Sequence, residues 1–227
     1  MFLRQDNSIK WKKLAIASVV VVFLCLAGVM WFDKPLFLFL RNFNWSVWGF
    51  FDTVFTTEIW LAAAFCVALV IVIKNVVKSK HKVTKDKNKF SIKKIINKFK
   101  EKSKNNFGFL VLCSVFLAGL ITDILKYGFG RQRPIFFEAL GQSGFYPMNN
   151  DWAFNSMPSG HATASFAGLI MIGLLFPKIK WATWTLAIVI GVSRICCGDH
   201  WPSDVIFSAF IGMVVADIVK SVFFKNK

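Results

Sequence analysis

Apolar residues run in long blocks separated by short polar and charged clusters, and the lengths of the blocks predict membrane-spanning helices. The first block covers residues 14–32 and the second covers about residues 59–73. The other four cover residues 107–125, 162–176, 181–192 and 205–224. At about 1.5 Å per residue, a helix of about 20 residues crosses a hydrocarbon core about 30 Å thick. The pattern therefore predicts an all-α fold, an integral membrane six-helix bundle.

The segment at residues 33–58, between the first two blocks, is aromatic but not continuously apolar. Its rings are Phe37, Phe39, Phe43, Trp45, Trp48, Phe50, Phe51 and Phe55. Aromatic side chains concentrate where lipid headgroups meet water, so the composition predicts an aromatic belt at the membrane interface. The alternative is a lip bordering a lipid-binding site.

Lysines cluster at alternate ends of the apolar blocks, and this distribution predicts the topology. Thirteen lysines lie in residues 74–104, so the positive-inside rule makes the loop at 74–106 cytoplasmic. With both termini also cytoplasmic, residues 1–227 form a single six-span domain. Six of the 28 lysines and arginines then lie outside: Lys34, Arg41, Lys126, Arg131, Arg133 and Arg194.

The amino-acid composition supports the membrane class and argues against a nucleic-acid partner. Hydrophobic residues make up 56% of the chain and the mean hydropathy is +0.54, too apolar for a soluble domain of this length. The net charge of +16 could indicate a nucleic-acid partner. However, the lysines stand between apolar blocks without a nucleic-acid-binding motif, so we expect none. Five cysteines, three of them inside apolar blocks, imply no disulfide framework.

Residues 126–134 follow the third block and carry Lys126, Arg131 and Arg133 at its outer end. Arg194 ends the fifth block on the same side of the membrane. Arginine offers a planar fork of donors that fits phosphate, and lysine offers a mobile point charge. The cluster therefore predicts a phosphate site at headgroup depth, whereas the alternative is a set of cations that only anchor helix ends.

Residues 157–162 precede the fourth block and contain Ser159, Gly160 and His161. A serine at this position can cap the helix, and the free N–H groups near Gly160 can bind an anion. His161 would then lie beside the bound anion as a proton donor. The alternative is an ordinary interfacial histidine.

Residues 193–204 join the fifth and sixth blocks and include His200 and Asp204. If a helix starts near Pro202, Asp204 lies about one turn beyond His200 and its carboxylate can hold one imidazole nitrogen. The other nitrogen is then free to react. The alternative is an interfacial loop whose charges only face water.

Together, these three segments resemble the signature of the type 2 phosphatidic-acid phosphatase superfamily, which includes bacterial membrane lipid phosphatases. Residues 126–134 match K-x6-R-P, residues 158–161 match P-S-G-H, and residues 193–204 match S-R-x5-H-x3-D. Every signature position is present in the expected order and spacing. The resemblance extends to the six-span layout of about residues 14–224.

The resemblance implies metal-independent hydrolysis through a phosphohistidine, with no cofactor. It makes His200 the nucleophile, Asp204 its orienting carboxylate, and His161 the acid that protonates the leaving oxygen and later activates water. The implied phosphate ligands are Lys126, Arg133, Ser159, Gly160 and Arg194. Arg131, Asp123 and Asp199 lie outside the signature, and Arg131 is the best additional phosphate ligand. Two histidines and an aspartate could instead hold a metal, but the nearby cations would repel a divalent ion.

We therefore expect a phosphatase that acts on a phosphorylated membrane lipid at the outer, periplasmic face of the inner membrane. Lipid A 1-phosphate, undecaprenyl pyrophosphate and phosphatidylglycerophosphate all remain open as substrates. One alternative is a lipid phosphotransferase that uses the same phosphohistidine. Another is a non-enzymatic transporter of anionic lipids, which would have helices broken within the bilayer.

Overall fold

The computed structural model describes residues 1–79 and 101–224, and helices dominate both ranges. In the N-terminal range, a long first helix starts as α1 (Trp11–Ala27), passes through a π-helical turn (Gly28–Phe32) and ends as α2 (Asp33–Arg41). The short helix α3 (Val47–Val54) and the long helix α4 (Thr57–Ser79) follow. Residues 101–224 contain α5 (Phe107–Phe129), α6 (Pro134–Leu140), α7 (Gly160–Leu175), α8 (Lys180–Cys196) and α9 (Pro202–Phe224).

Five helical segments of the described chain are long and apolar enough to cross a membrane. They are Trp11–Arg41, Thr57–Val77, Phe107–Phe129, Pro177–Cys196 and Pro202–Phe224. α7 is equally apolar but has only 16 residues, which gives a length of about 24 Å. The all-α membrane class is thus confirmed, while a sixth crossing by α7 stays a prediction.

α7 lies at the centre of the bundle and packs against α5, α8 and α9. Most of its side chains are buried, whereas α1 and α4 pack at the periphery and expose most of their apolar residues. Small residues let α7 and α9 approach closely, because a Cβ on Gly212 would lie only 2.6 Å from the Cβ of Phe166. This central position matters for function because α7 begins at the predicted anion site.

The first helix continues past residue 32, so the predicted interfacial segment at 33–58 begins inside the bundle. The carboxylate of Asp33 is buried and accepts hydrogen bonds from the backbone N–H (2.9 Å) and hydroxyl (2.5 Å) of Ser203. Gly28 permits this approach, since a Cβ there would lie 2.6 Å from the Cβ of Ser203. An aspartate directly after an apolar block usually marks the end of a membrane span. For this reason the sequence pattern predicted that Asp33 lies at the interface and not inside the bundle.

The two ends of the helix bundle contain different sets of polar residues. At one end the backbone N–H of Phe2 donates to Asp217 (2.7 Å), and Lys220 donates to the carbonyl of Leu174 (2.9 Å). The three predicted motifs gather at the opposite end. Most of the predicted cytoplasmic loop at 74–106 lies outside the described residues, so its sidedness stays a prediction.

We expect the motif-bearing end to face outward, because translocating the lysines at 74–104 would cost about 2.5–3.5 kcal/mol for each one placed at the bilayer centre. With the five native cysteines replaced, a cysteine at Ser143 should react with a membrane-impermeant maleimide in intact spheroplasts. A cysteine at Lys102 should react only after lysis. Both side chains are exposed, so the comparison is matched. The reverse pattern would show that the motifs face the cytoplasm.

Candidate active site

A cavity of about 370 Å³ opens at the motif-bearing end and unites residues that are distant in sequence. Six predicted residues line it: Lys126, Arg133, Gly160, His161, Arg194 and His200. The N-terminal half of the chain adds Asp52, Thr57 and Glu58. The structure therefore brings the three motifs together, although Arg131, Ser159 and Asp204 lie behind the cavity wall.

His200 lies between α8 and α9, with its side chain almost fully buried and its ring at the cavity. Its Nδ1 is 2.7 Å from the backbone carbonyl oxygen of Ser156. A carbonyl can only accept a hydrogen bond, so Nδ1 carries the hydrogen and Nε2 keeps its lone pair. This tautomer is the one that a nucleophilic Nε2 requires.

The surroundings of His200 also favour the uncharged ring. Burial lowers its pKa well below the usual range, and the positive charges of Arg133, Arg194 and Lys126 lower it further. The ring is therefore neutral at physiological pH, and its free nitrogen is not blocked by a proton.

Asp204 supports His200 less directly than the sequence predicted. Its Oδ2 is 3.9 Å from Nδ1 of His200, and that nitrogen donates its hydrogen bond to the backbone carbonyl of Ser156 instead. The same Oδ2 accepts hydrogen bonds from the Ser156 hydroxyl (2.6 Å) and the Trp201 backbone N–H (2.9 Å). Asp204 therefore holds Ser156 in place, and Ser156 orients the imidazole of His200. Ser156 is a single serine upstream of the P-S-G-H motif, and no sequence pattern marks it.

Arg131, the predicted additional phosphate ligand, is held by buried partners in this structure. One terminal nitrogen donates to Asp204 (2.6 Å) and to the hydroxyl of Ser203 (2.7 Å). The other donates to Asp33 (2.6 Å). All three charged side chains are at most 6% exposed, and Arg131 is not among the residues that line the cavity. The sequence did not reveal these buried contacts with Asp33 and Asp204, and a role of Arg131 as an additional phosphate ligand stays a prediction.

Arg133 and Arg194 do face the cavity, and Asp199 joins them. Asp199 accepts a hydrogen bond from Arg133 (3.2 Å) and another from Arg194 (2.6 Å). The guanidinium of Arg133 also lies 4.1 Å from the ring centre of Trp152, a cation–π contact that holds it in place. The Nε of Arg194 is buried without a partner among the described residues. Contacts within the protein therefore hold both guanidinium groups in position at the cavity.

The last turn of α5 presents Lys126, and a glycine then reverses the chain. Gly130 ends the helix in the left-handed conformation, with φ of +57°. A Cβ at this position would collide with the carbonyl of Tyr146. Only glycine fits, and the turn carries the chain back over the bundle so that Arg133 joins Lys126 at the cavity.

The start of α7 agrees with the predicted cap but changes the role of Ser159. Its hydroxyl accepts from the Ala162 N–H (3.4 Å), and its own backbone N–H donates to Ser208 (2.8 Å). Ser159 therefore holds the helix terminus and does not line the cavity. Gly160 does line it, and a Cβ there would lie 3.6 Å from Nζ of Lys126, which places the helix terminus directly beside that ammonium group.

His161 points toward α3, where Asp52 contacts both His161 and Arg194. Nε2 of His161 lies 3.1 Å from the backbone oxygen of Asp52 and 3.5 Å from its carboxylate. The same carboxylate pairs with Arg194. Sequence reasoning missed Asp52 because it lies in the aromatic segment, far from every motif.

The cavity contains several carboxylates beside the cationic side chains that the sequence predicted. Asp52, Glu58, Asp123 and Asp199 all line it. Asp52 and Asp199 are paired with arginine side chains. Among residues 1–79 and 101–224, no group of three or more His, Cys, Asp or Glu side chains has an arrangement that could hold a metal ion.

Comparisons with known proteins find relatives that match about half of the chain. The chain is 37% identical over 113 residues to a lipid A 1-phosphatase of Rhizobium johnstonii. This match covers 48% of this chain and 46% of that protein. It is 29% identical over 112 residues to an undecaprenyl-diphosphatase of Sulfolobus acidocaldarius, which covers 49% and 52%. The chain thus spans about half the length of the curated relatives it matches.

A solved structure, the crystal structure of Aquifex aeolicus LpxE, matches 82% of this chain and 93% of that chain with 20% identity and a TM-score of 0.43. That score is too low to establish a shared fold. The family model of the PAP2 superfamily matches residues 107–227, which contain all three motifs and more than half of the sequence. The chain therefore belongs to the PAP2 superfamily.

Proposed function

We propose that this protein hydrolyses a phosphate ester of a membrane lipid through a phosphohistidine formed on His200. The observation that carries the proposal is the hydrogen bond from Nδ1 of His200 to the carbonyl of Ser156. It leaves Nε2 unprotonated at a cavity that also holds Arg133 and Arg194. A neutral nucleophile beside fixed cations suits attack on a phosphate anion.

In the first step, Nε2 of His200 attacks phosphorus and the bond from phosphorus to the lipid oxygen breaks. The side chains of Lys126, Arg133 and Arg194 stabilise the charge on the transferring group. As Nε2 bonds to phosphorus the imidazole becomes cationic, and Asp204 stabilises that charge from 3.9 Å.

His161 supplies the proton that the leaving lipid oxygen needs. The carbonyl of Asp52 can only accept, so Nε2 of His161 carries a hydrogen, and the ring acts as the acid in its imidazolium form, which becomes neutral imidazole when a proton passes to the leaving oxygen. In the second step a water molecule gives a proton back to His161 and attacks phosphorus. The bond between nitrogen and phosphorus then breaks and inorganic phosphate leaves.

The substrate class follows from the setting of the cavity and from the relatives. The cavity lies at one end of a bundle with five apolar helices of membrane-crossing length, where a lipid headgroup would meet it. The relatives are named for lipid A 1-phosphate and undecaprenyl diphosphate. We place the protein in the bacterial inner membrane with both termini cytoplasmic and the cavity facing outward.

The phosphohistidine is tested by replacing its nucleophile. His200→Ala should lower lipid phosphate hydrolysis by at least about 10³-fold and abolish acid-labile phosphoenzyme in rapid-quench labelling. Asp204→Asn should keep a residual rate above that of His200→Ala, because orientation is disturbed but the nucleophile remains. Its melting temperature should also fall, since Arg131 loses a buried partner. Normal labelling of His200→Ala would refute the assignment.

Asp52 pairs with Arg194, a proposed phosphate ligand, so removing its charge should favour anion binding. Asp52→Asn should lower the inhibition constant of orthovanadate about three- to tenfold, or about 1 kcal/mol. Glu138→Gln is the matched control, because this carboxylate pairs with Arg41 away from the cavity. An unchanged or weaker affinity in Asp52→Asn would show that Asp52 does not compete with the bound anion.

The mechanism assigns every step to side chains, so hydrolysis should survive chelation. Activity measured as phosphate release should stay within about twofold after dialysis against EDTA. The physical reason is that cationic side chains supply the charge that a metal would otherwise supply. Loss of activity in EDTA followed by recovery with Mg²⁺ would contradict this expectation.

A further inference from the structure

The cavity extends beyond the three cations, along the face of α5 that carries Gly119, Thr122, Asp123 and Lys126. Gly119 lies seven residues before Lys126 on α5, which is about two helical turns, or about 10 Å along the helix axis. A cavity of 370 Å³ is in the range that holds a small organic group rather than a phosphate alone. The part beyond Lys126 therefore has room for the group that carries the phosphate.

The walls of this part differ in chemistry from the phosphate end. We name it the distal subsite and define it by Thr57, Glu58, Thr122 and Asp123, which all line the cavity. Thr122 is 1% exposed, and its hydroxyl has no hydrogen-bond partner among the described residues. Buried hydroxyl groups in folded proteins are nearly always paired, so a partner from the ligand would satisfy it.

The distal subsite lies on the side where the leaving group should go. In an in-line displacement the leaving oxygen is opposite the nucleophile and next to the residue that protonates it, His161. A Cβ on the adjacent Gly160 would lie 3.7 Å from Oγ1 of Thr57 and 3.6 Å from Nζ of Lys126. The distal subsite therefore begins directly beside His161 and the phosphate site.

We infer that the distal subsite binds an uncharged group rich in hydroxyl or amide donors, attached directly to the phosphate, as in a sugar phosphate of a glycolipid. Two carboxylates accept hydrogen bonds from such donors, and the Thr122 hydroxyl pairs with one more polar group. The carboxylates would repel the second phosphate of a diphosphate. This inference deepens the proposed function and rests on it.

The test compares substrate preferences of the full-length protein in detergent micelles. Phosphate release is measured with diacylated glucosamine 1-phosphate, with dimyristoylglycerol phosphate and with farnesyl diphosphate. The wild-type protein should have its highest kcat/KM with the glucosamine lipid. Thr122→Val and Asp123→Asn should each lower the ratio of kcat/KM for the glucosamine lipid to that for the glycerol lipid about tenfold.

The double variant Glu58→Gln, Asp123→Asn tests the repulsion. It should raise kcat/KM for farnesyl diphosphate relative to the glycerol lipid by several-fold. Ser114→Ala is the matched control, because this serine is also a buried hydroxyl of α5 but bonds to the carbonyl of Ala167 outside the cavity. Its substrate ratios should equal those of the wild-type protein.

The ratios are measured within one preparation, so partial unfolding of a variant does not change them. If the wild-type protein hydrolyses the lipids but all variants keep its ratios, the inference is overturned and the proposed function stands. A wild-type preference for the diphosphate would also overturn it. If the wild-type protein hydrolyses none of the three, the proposed function fails and the inference fails with it.

Discussion

The buried ion triad of Asp33, Arg131 and Asp204 is the interaction on which the site depends most. Moving three charges out of water costs several kcal/mol for each ion, and close pairing offsets this only when the geometry is good. Here each carboxylate lies 2.6 Å from a separate nitrogen of one guanidinium. Removing Arg131 would leave two buried carboxylates without a counter-charge, and removing either carboxylate would leave a guanidinium nitrogen without that partner, so the three elements that carry them are fixed relative to one another.

Those elements come from distant parts of the sequence, and their junction orients the nucleophile. Asp33 belongs to the first long helix and accepts from the N–H of Ser203 in the first turn of α9. From the same turn, Asp204 holds the hydroxyl of Ser156, whose carbonyl accepts from His200. A continuous series of hydrogen bonds thus connects the first helix to the imidazole of His200, so the geometry of the proposed active site depends on α1 and α2.

The sequence predicted the helical class, the positions of the long apolar helices and most of the cavity, because these are carried by local composition and by motifs with fixed spacing. It did not predict Asp33, Asp52 or Ser156, since each is one polar residue whose partners are at least 40 residues away in the chain. The contacts of Arg131 with Asp33 and Asp204 were not predictable for the same reason. A guanidinium fits phosphate and carboxylate equally well, and only the fold decides which one it meets.

The family match begins at residue 107, and this boundary divides the site by task. Every residue assigned to phosphate chemistry, from Lys126 to His200, lies after it. Asp52, Thr57 and Glu58 lie before it and contact the cavity on the side of His161, where the leaving group departs. The proposed reaction therefore rests on side chains of the half that matches the family model. The proposed distal subsite draws on both halves, with Thr57 and Glu58 from the N-terminal half and Thr122 and Asp123 from α5, so a change of substrate can arise on either side of the boundary without a change in the groups that carry the proposed chemistry.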